Sequence, residues 1–278
     1  MSFVSTTLPS IAILGTGSMG GAILAGLLDP DVTVSGGIRV TNRTAVKADA
    51  LASNRVTSLS TERDPDANRA AVAGARIVLV GVKPAMVPDL LREVADALEP
   101  DAIIVSVAAG VTIATMESLV PGAVLRAMPN TPSVVGRGVT GLSAGTRSTP
   151  EDFDLARALF ATVGDVLAVP EEKIDALSTI SGSGPAYVFL LIEELTRTAV
   201  GMGFTPEEAA VMVNGTFRGA SELLAHSDED PAELRRRVTS PKGTTERAIA
   251  VLQDANLSEV FDRATTAALA RAKELAAG

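Results

Sequence analysis

Ile11-Ala12-Ile13-Leu14-Gly15-Thr16-Gly17-Ser18-Met19-Gly20 joins a wholly apolar run to three glycines in the order Gly-x-Gly-x-x-Gly. The run reads as a strand buried on both faces, and residues 18–28 read as the helix that follows it. A glycine triplet alone is a weak signal, but between a strand and a helix each glycine has a separate task. The first permits the tight turn, the second lets a pyrophosphate approach the backbone, and the third lets the helix pack close to the strand. The helix N-terminus adds N–H donors and a partial positive charge. The expectation is a dinucleotide site with Gly15, Thr16, Gly17, Ser18, Met19 and Gly20 around the phosphates.

Outward from this turn, short β-rich runs alternate with helical ones as far as residue 168. Strands are expected at 11–14, 38–41, 76–82, 102–108, 124–128, 139–143 and 166–169, several of them almost continuously apolar. Helices are expected at 18–28, 45–53, 85–98 and 151–163. That alternation implies a parallel, doubly wound sheet of the Rossmann type.

Beyond Pro170 the strand signal stops. Helices are expected at 171–178, 185–200, 206–224, 231–238, 244–252 and 257–276. Thr205-Pro206 with Glu207 and Glu208, and Asp230-Pro231 before Glu233, carry the marks of helix starts. The chain therefore divides into an α/β domain over 1–170 and an all-α domain over 171–278. Val188, Leu191, Ile192 and Leu195 form one apolar stripe, with Phe189, Ala199 and Met202 around its side. So wide an apolar arc on a small helical domain suggests packing against a second subunit; the alternative is ordinary apolar surface on Ala-rich helices.

Composition narrows the chemistry. The 278 residues are 46% hydrophobic and 21% charged, far from a disordered composition. A net charge of −9 and 3% aromatics argue against nucleic-acid binding, which needs cations and stacking rings. There are no cysteines and one histidine, His226, so thiolate catalysis and multi-His metal sites are excluded. The first ten residues carry neither a basic n-region nor a long apolar run, and no stretch is apolar enough to span a bilayer. We expect a cytoplasmic protein that binds no membrane and no nucleic acid.

The residues after the second sheet strand select the cofactor. A dinucleotide site for NAD usually presents Asp or Glu there to the ribose hydroxyls. This chain reads Arg39-Val40-Thr41-Asn42-Arg43-Thr44. Asn42, Arg43 and Thr44 suit the 2′-phosphate of NADP, a doubly charged group that matches a guanidinium fork. The alternative is a solvated surface arginine. Gly81-Val82-Lys83-Pro84 ends a buried strand at the edge of the sheet where open α/β folds bind ligands. Ser106-Val107-Ala108-Ala109-Gly110 ends the next one in small residues that leave room for a flat ring.

Arg126-Ala127-Met128-Pro129-Asn130-Thr131-Pro132 resembles the pyrroline-5-carboxylate reductases. So do Ser181-Gly182-Ser183-Gly184-Pro185-Ala186-Tyr187, the segment 220–226, and Thr239-Ser240-Pro241-Lys242-Gly243-Thr244-Thr245. With the glycine turn and Val82-Lys83-Pro84 they span nearly the whole chain in the family's order. The resemblance implies reduction of the cyclic imine L-1-pyrroline-5-carboxylate to L-proline by NADPH, with NADH as the second cofactor. It implies dimers interlocked through the C-terminal helices and, beyond them, decamers built as pentamers of dimers. It also implies that Asn68 contacts the adenine-side ribose, that Gly81, Val82, Lys83 and Pro84 line the dinucleotide, and that Ala108 and Ala109 face the nicotinamide. Ser240, Gly243, Thr244 and Thr245 would hold the imino acid, partly across the dimer interface.

The family loop usually has glycine where this chain has Lys242. If the backbone there needs φ > 0, lysine costs about 1 kcal/mol relative to glycine. Its side chain either points to solvent or adds a cation near the substrate carboxylate. A protonated imine is already electrophilic, so orientation and preorganised donors can carry the reaction without a strong base. Thr245 is the candidate for the hydrogen bond to the imine nitrogen. The turn at Asn130-Thr131 either orders the nicotinamide or substrate pocket or is purely structural. His226 reads as a helix-end residue, and Arg235-Arg236-Arg237 as a solvated or interface helix end. Two other readings stand beside this one: a hydroxyacid-dehydrogenase-type NADP reductase, and a dinucleotide sensor without turnover. The first expects a catalytic lysine that residues 181–191 lack, and the second has no use for the 240–245 loop.

Overall fold

The computed structural model describes residues 6–276. Positions 1–5 and 277–278, the outermost ends of the two expected domains, lie outside the described residues. The strands are β1 (Thr6–Leu8), β2 (Ile11–Leu14), β3 (Val32–Val34), β4 (Ile38–Asn42), β5 (Val56–Ser60), β6 (Ile77–Val80), β7 (Ile103–Ser106), β8 (Ala123–Met128), β9 (Gly138–Ala144) and β10 (Gly164–Ala168). Eight of them form one sheet in the order β10-β9-β8-β7-β6-β2-β4-β5, and β1 pairs with β3 separately. From β5 through β8 this is the strand order of a dinucleotide-binding Rossmann fold, reversing direction beside β2.

The strands β2, β6 and β7 are buried along their whole length, as their apolar runs require when helices cover both faces. Ile11, Ile13, Ile77, Leu79, Ile103 and Val105 point to one face, where Ile23 and Leu27 of the helix Ser18–Leu27 and Phe160 pack on them. Ala12, Leu14, Val78, Val80 and Ile104 point to the other, against Leu91 and Val94. The two-residue alternation of the strands thus sorts one apolar sequence into two cores.

The sheet departs from an all-parallel one in a single pairing: β8 and β9 run antiparallel, while every other pair is parallel. Asn130 explains how the chain turns back between them. Its side-chain oxygen accepts the Val139 N–H at 2.8 Å and its Nδ2 donates to the Ser181 carbonyl at 2.9 Å. The Asn130-Thr131 turn is therefore structural: both ends of the amide are used within the fold. The helix expected over 85–98 is also broken up, into an α-helix Val87–Val94 between 3-10 turns Pro84–Met86 and Ala95–Ala97. The strands β1, β3 and β5 were not expected.

After β10 every described element is helical: Glu171–Lys173, Ile174–Leu177, a π-turn Ser178–Gly182, then Gly184–Gly201, Pro206–Ala225, Pro231–Arg237, Thr244–Asp254 and Leu257–Ala276. Two compact units result. One runs through Ser183 and includes the end of the last helix from Leu269; the other is Gly184–Ala268. In the second unit Ala199, Ala209 and Val213 are buried, whereas Phe189, Leu190, Leu191, Leu195, Val211 and Val251 stay exposed. Among the described residues no helix is long and apolar enough to cross a membrane.

Two ion-pair systems tie the first unit together. Arg126 on β8 is only 4% exposed and pairs with Asp175 at 2.6 Å and Glu171 at 3.4 Å, while Glu171 also accepts the Ile113 N–H at 2.7 Å. Arg76, just before β6, pairs with Asp152 at 2.7 Å. Asp152 in turn completes a capping box with Thr149 at the start of the helix Pro150–Ala161. Burial would raise the Asp152 carboxyl, but hydrogen bonds from Arg76 and Thr149 hold it below its ordinary value.

Replacing Asp152 takes the shorter ion pair from a largely buried guanidinium, which keeps only the exposed Asp101 at 3.4 Å, and removes a cap, so Asp152→Ala should cost about 2 kcal/mol in urea unfolding at pH 7. Because the folded-state pKa is lowered, this contribution is complete above the unfolded value of about 3.9 and fades as pH falls through the folded one. Parent and variant should therefore converge as the pH is taken below the folded-state value; an undiminished gap in acid would contradict this role.

Candidate active site

The turn after β2 is built by exclusion of side chains. Gly15 has φ +90°, a backbone state that suits glycine, and its N–H donates to the Thr41 carbonyl at 3.1 Å. A Cβ on Gly20 would lie 2.5 Å from the Gly15 oxygen, and one on Gly81 would lie at the same distance from that atom. The first helical turn and the end of β6 thus both press on one carbonyl. Gly17 differs: a Cβ there would meet no protein atom within 4 Å. Its lack of a side chain leaves open space outside the protein, at the N-cap of the helix Ser18–Leu27. That helix has no side-chain cap and no acid in its first turn. Its leading amides are donors for an external anion.

At the end of β4, Asn42 is 6% exposed. Its Oδ1 accepts from the Thr16 hydroxyl at 2.7 Å, but its buried Nδ2 has no partner. A buried donor without an acceptor is costly and marks a position for a ligand oxygen. Arg43 beside it is exposed and makes no ion pair among the described residues. Thr44 is the N-cap of the helix Ala45–Leu51 without a side-chain cap bond. Gly15, Asn42, Arg43, Asn68 and Val82 all line one cleft of about 440 Å³. Asn68 donates from Nδ2 to Glu93 at 3.0 Å, which leaves its amide oxygen as an acceptor at the cleft. Lys83 and Pro84 are exposed beyond β6. Past β7, Ala108 is buried with its N–H on the Ser106 hydroxyl at 3.2 Å, and Ala109 is exposed. These groups fit a dinucleotide: an uncapped glycine turn, an orphaned amide and an unpaired guanidinium.

One residue of this neighbourhood escaped the sequence reading. The Glu62 carboxylate accepts the Ala45 N–H at 2.7 Å. It follows β5, whose mixed polar and apolar residues carry no clear strand signal, so nothing local placed it beside Thr44.

The 240–245 loop lies in the second unit. The Gly243 N–H donates to the Ser240 carbonyl at 3.0 Å, with Pro241 and Lys242 between them, and Lys242 has φ +60°. Proline at the first central position with positive φ at the second is the type II turn, which favours glycine where lysine stands. The Lys242 N–H donates to Glu246 at 3.0 Å, and its side chain is exposed. Gly243 is the N-cap of the helix Thr244–Asp254, and no side chain caps it. Since the Gly243 N–H closes the turn, the donors left to an external carboxylate are the Thr244 and Thr245 amides and the Ser240, Thr244 and Thr245 hydroxyls. Two of the three arginines that end the preceding helix are paired. Arg236 and Arg237 pair with Glu233, Arg237 also pairs with Glu229, and both arginines hold the Glu233 carboxyl down to about 2.

The remaining motifs are structural. His226 is the C-cap of Pro206–Ala225, its Nδ1 2.9 Å from the Glu222 carbonyl. Thr205 and Glu208 form a capping box, and Asp230 caps the next helix. Tyr187 meets Phe261 with ring centroids 6.1 Å apart.

Two family models match the chain. Residues 171–275 match "Pyrroline-5-carboxylate reductase dimerisation" and residues 10–110 match "NADP oxidoreductase coenzyme F420-dependent". A pyrroline-5-carboxylate reductase of Corynebacterium melassecola is 35% identical over 96% of this chain and 98% of its own. The solved structure of a pyrroline-5-carboxylate reductase from Coxiella burnetii superposes with a TM-score of 0.86 at 37% identity, covering 95% and 97% of the two chains. That of the Plasmodium falciparum pyrroline carboxylate reductase with NADP bound shares the fold, with a TM-score of 0.79 at 23% identity over 96% and 98%.

The two glycine environments separate binding from folding. Gly17→Ala should leave the unliganded melting temperature unchanged yet weaken dinucleotide binding about tenfold or more in calorimetry. Gly20→Ala should destabilise the unliganded protein by about 1–3 kcal/mol. The reverse pattern would contradict these assignments.

Proposed function

The chain belongs to the pyrroline-5-carboxylate reductase family, and from that membership we infer that it reduces L-1-pyrroline-5-carboxylate to L-proline, with NADPH as reductant and NADH as the second cofactor. The observation that carries this reading is a relative of that activity at 35% identity over 96% of the chain. The unpartnered Asn42 Nδ2 and the open space at Gly17 support a dinucleotide on the first unit. Gly15 through Gly20, with Thr16, Ser18 and Met19, would hold its pyrophosphate; Asn42, Arg43 and Thr44 its 2′-phosphate; Asn68 its ribose. Gly81, Val82, Lys83 and Pro84 would line its length, and Ala108 and Ala109 would face the nicotinamide ring. Bound NADPH supplies a hydride to the imine carbon.

The chain's own residues then have three tasks. The Ser240 hydroxyl and the donors at Thr244 and Thr245 would hold the substrate carboxylate, as an uncapped helix N-terminus favours an anion, while Gly243, expected among the donors, has its N–H in the turn and only shapes the backbone there. The Thr245 hydroxyl would hydrogen-bond the ring nitrogen and keep the protonated imine oriented. The chain has no cysteine and His226 caps a helix, so neither a thiolate nor the imidazole has a part in this step. Orientation and preorganised donors are then the main source of rate.

We read 1–170 as the dinucleotide domain and 171–278 as the dimerisation and substrate domain, the latter supported by the family model over 171–275. The exposed apolar side chains of the second unit support a homodimer through those helices. We take the further assembly to be a decamer, a pentamer of dimers, and the location to be the cytoplasm.

The test is loss of NADPH absorbance on addition of pyrroline-5-carboxylate; no turnover at high enzyme concentration would overturn the reading. Arg43→Asp should lower kcat/KM with NADPH about 100-fold and with NADH by less than about 3-fold, the loss of a charge-assisted phosphate contact. Equal losses would remove Arg43 from the 2′ position.

Thr245→Val should lower kcat about tenfold, the loss of one hydrogen bond to a charged group. Lys242→Gly should relieve the positive-φ turn and leave KM nearly unchanged; a large rise in KM would place the Lys242 ammonium on the substrate.

A further inference from the structure

The end of β5 is laced to the end of β4. The Thr61 N–H donates to the Asn42 carbonyl at 3.0 Å, the Glu62 N–H to the Arg43 carbonyl at 3.0 Å, and the Ser60 hydroxyl to the same Arg43 carbonyl at 3.3 Å. Glu62 is thereby held opposite Arg43. Its carboxylate is fixed a second time, by the Ala45 N–H at 2.7 Å, one residue beyond Thr44. An anion thus stands beside the residues read here as meeting the 2′ position of the adenosine ribose. The nearest cation, Arg63, acts on this charge only through space. Arg63 is held by both oxygens of Asp49, at 2.6 and 2.7 Å, and Glu62 makes no ion pair among the described residues.

We propose that Glu62 is a specificity-determining residue whose carboxylate opposes the 2′-phosphate that Arg43 attracts, narrowing the gap between NADPH and NADH. A 2′-phosphate brings a double negative charge next to this carboxylate, and like charges at such range repel. A 2′-hydroxyl instead finds an acceptor, the role that an acid after the second sheet strand plays in NAD sites. Each cofactor meets one favourable and one unfavourable partner: Arg43 favours the phosphate and Glu62 the hydroxyl. The selector is therefore split between two strand ends. Reading only Asn42, Arg43 and Thr44 gives half of it.

This rests on the dinucleotide reading of the cleft, and calorimetric titration of the unliganded full chain with NADP⁺ and NAD⁺ distinguishes the two claims. Glu62→Gln removes the charge but keeps a side-chain carbonyl for the Ala45 N–H. It should bind NADP⁺ about tenfold tighter and NAD⁺ within about twofold of the parent, and the NADP⁺ gain should shrink as salt screens the charge. Glu62→Ala, which also removes the acceptor, should move NADP⁺ in the same direction while weakening NAD⁺. An unchanged ratio of the two affinities in both variants would overturn the role of Glu62 while leaving the site intact. Failure of the parent to bind either dinucleotide would overturn both.

Discussion

The carbonyl oxygen of Gly15 is the point on which the first unit turns. The backbone of Gly20 and that of Gly81 both come so close to it that a Cβ on either would fall 2.5 Å away. Three chain segments therefore meet at one atom: the end of β2, the first turn of Ser18–Leu27, and the end of β6. Because they meet without side chains, the helix N-terminus is held directly over the carboxyl edge of the sheet, and its leading amides face outward. Gly17, the one glycine of the triplet with nothing against it, sits where those amides open to solvent. The cleft beside Asn42, Arg43 and Asn68 follows from that geometry.

The second unit repeats the device in another form. A type II turn from Ser240 to Gly243 feeds a helix that no side chain caps, and its first-turn amides and hydroxyls are again what remain for an anion. The turn carries Lys242 at positive φ, a conformation better suited to glycine. Neither unit relies on a shifted side chain for its donors. A chain with one histidine and no cysteine instead presents backbone dipoles and hydroxyls, a sufficient toolkit when the substrate is already a protonated imine and the reductant comes with the cofactor.

Much of the fold was legible because burial writes plainly in sequence. The strands β2, β6 and β7 are apolar at every position, and the helix starts at Thr205 and Asp230 show their caps. The strands β1, β3 and β5 were not legible: Thr6-Thr7-Leu8, Val32-Thr33-Val34 and Val56-Thr57-Ser58-Leu59-Ser60 are short or polar, and lie at sheet margins where one side needs no apolar cover. The reversal at β9 was hidden for another reason. A strand's composition does not state its direction, and the device that turns the chain, the Asn130 amide, acts through partners at Val139 and Ser181. Within the cleft the glycine turn and Arg43 could be read locally, whereas Glu62 reaches Ala45 only through the pairing of β4 with β5.

The protein positions the reactants and the cofactor supplies the electrons, so the most direct measurement follows the hydride itself. NADPH carrying deuterium on its transferable nicotinamide position is incubated with the enzyme and unlabelled pyrroline-5-carboxylate, and the product is analysed by mass spectrometry and NMR. Proline should carry a single deuterium on the former imine carbon and appear in step with NADPH oxidation. Proline without deuterium, or NADPH oxidised with no label in the ring, would contradict this.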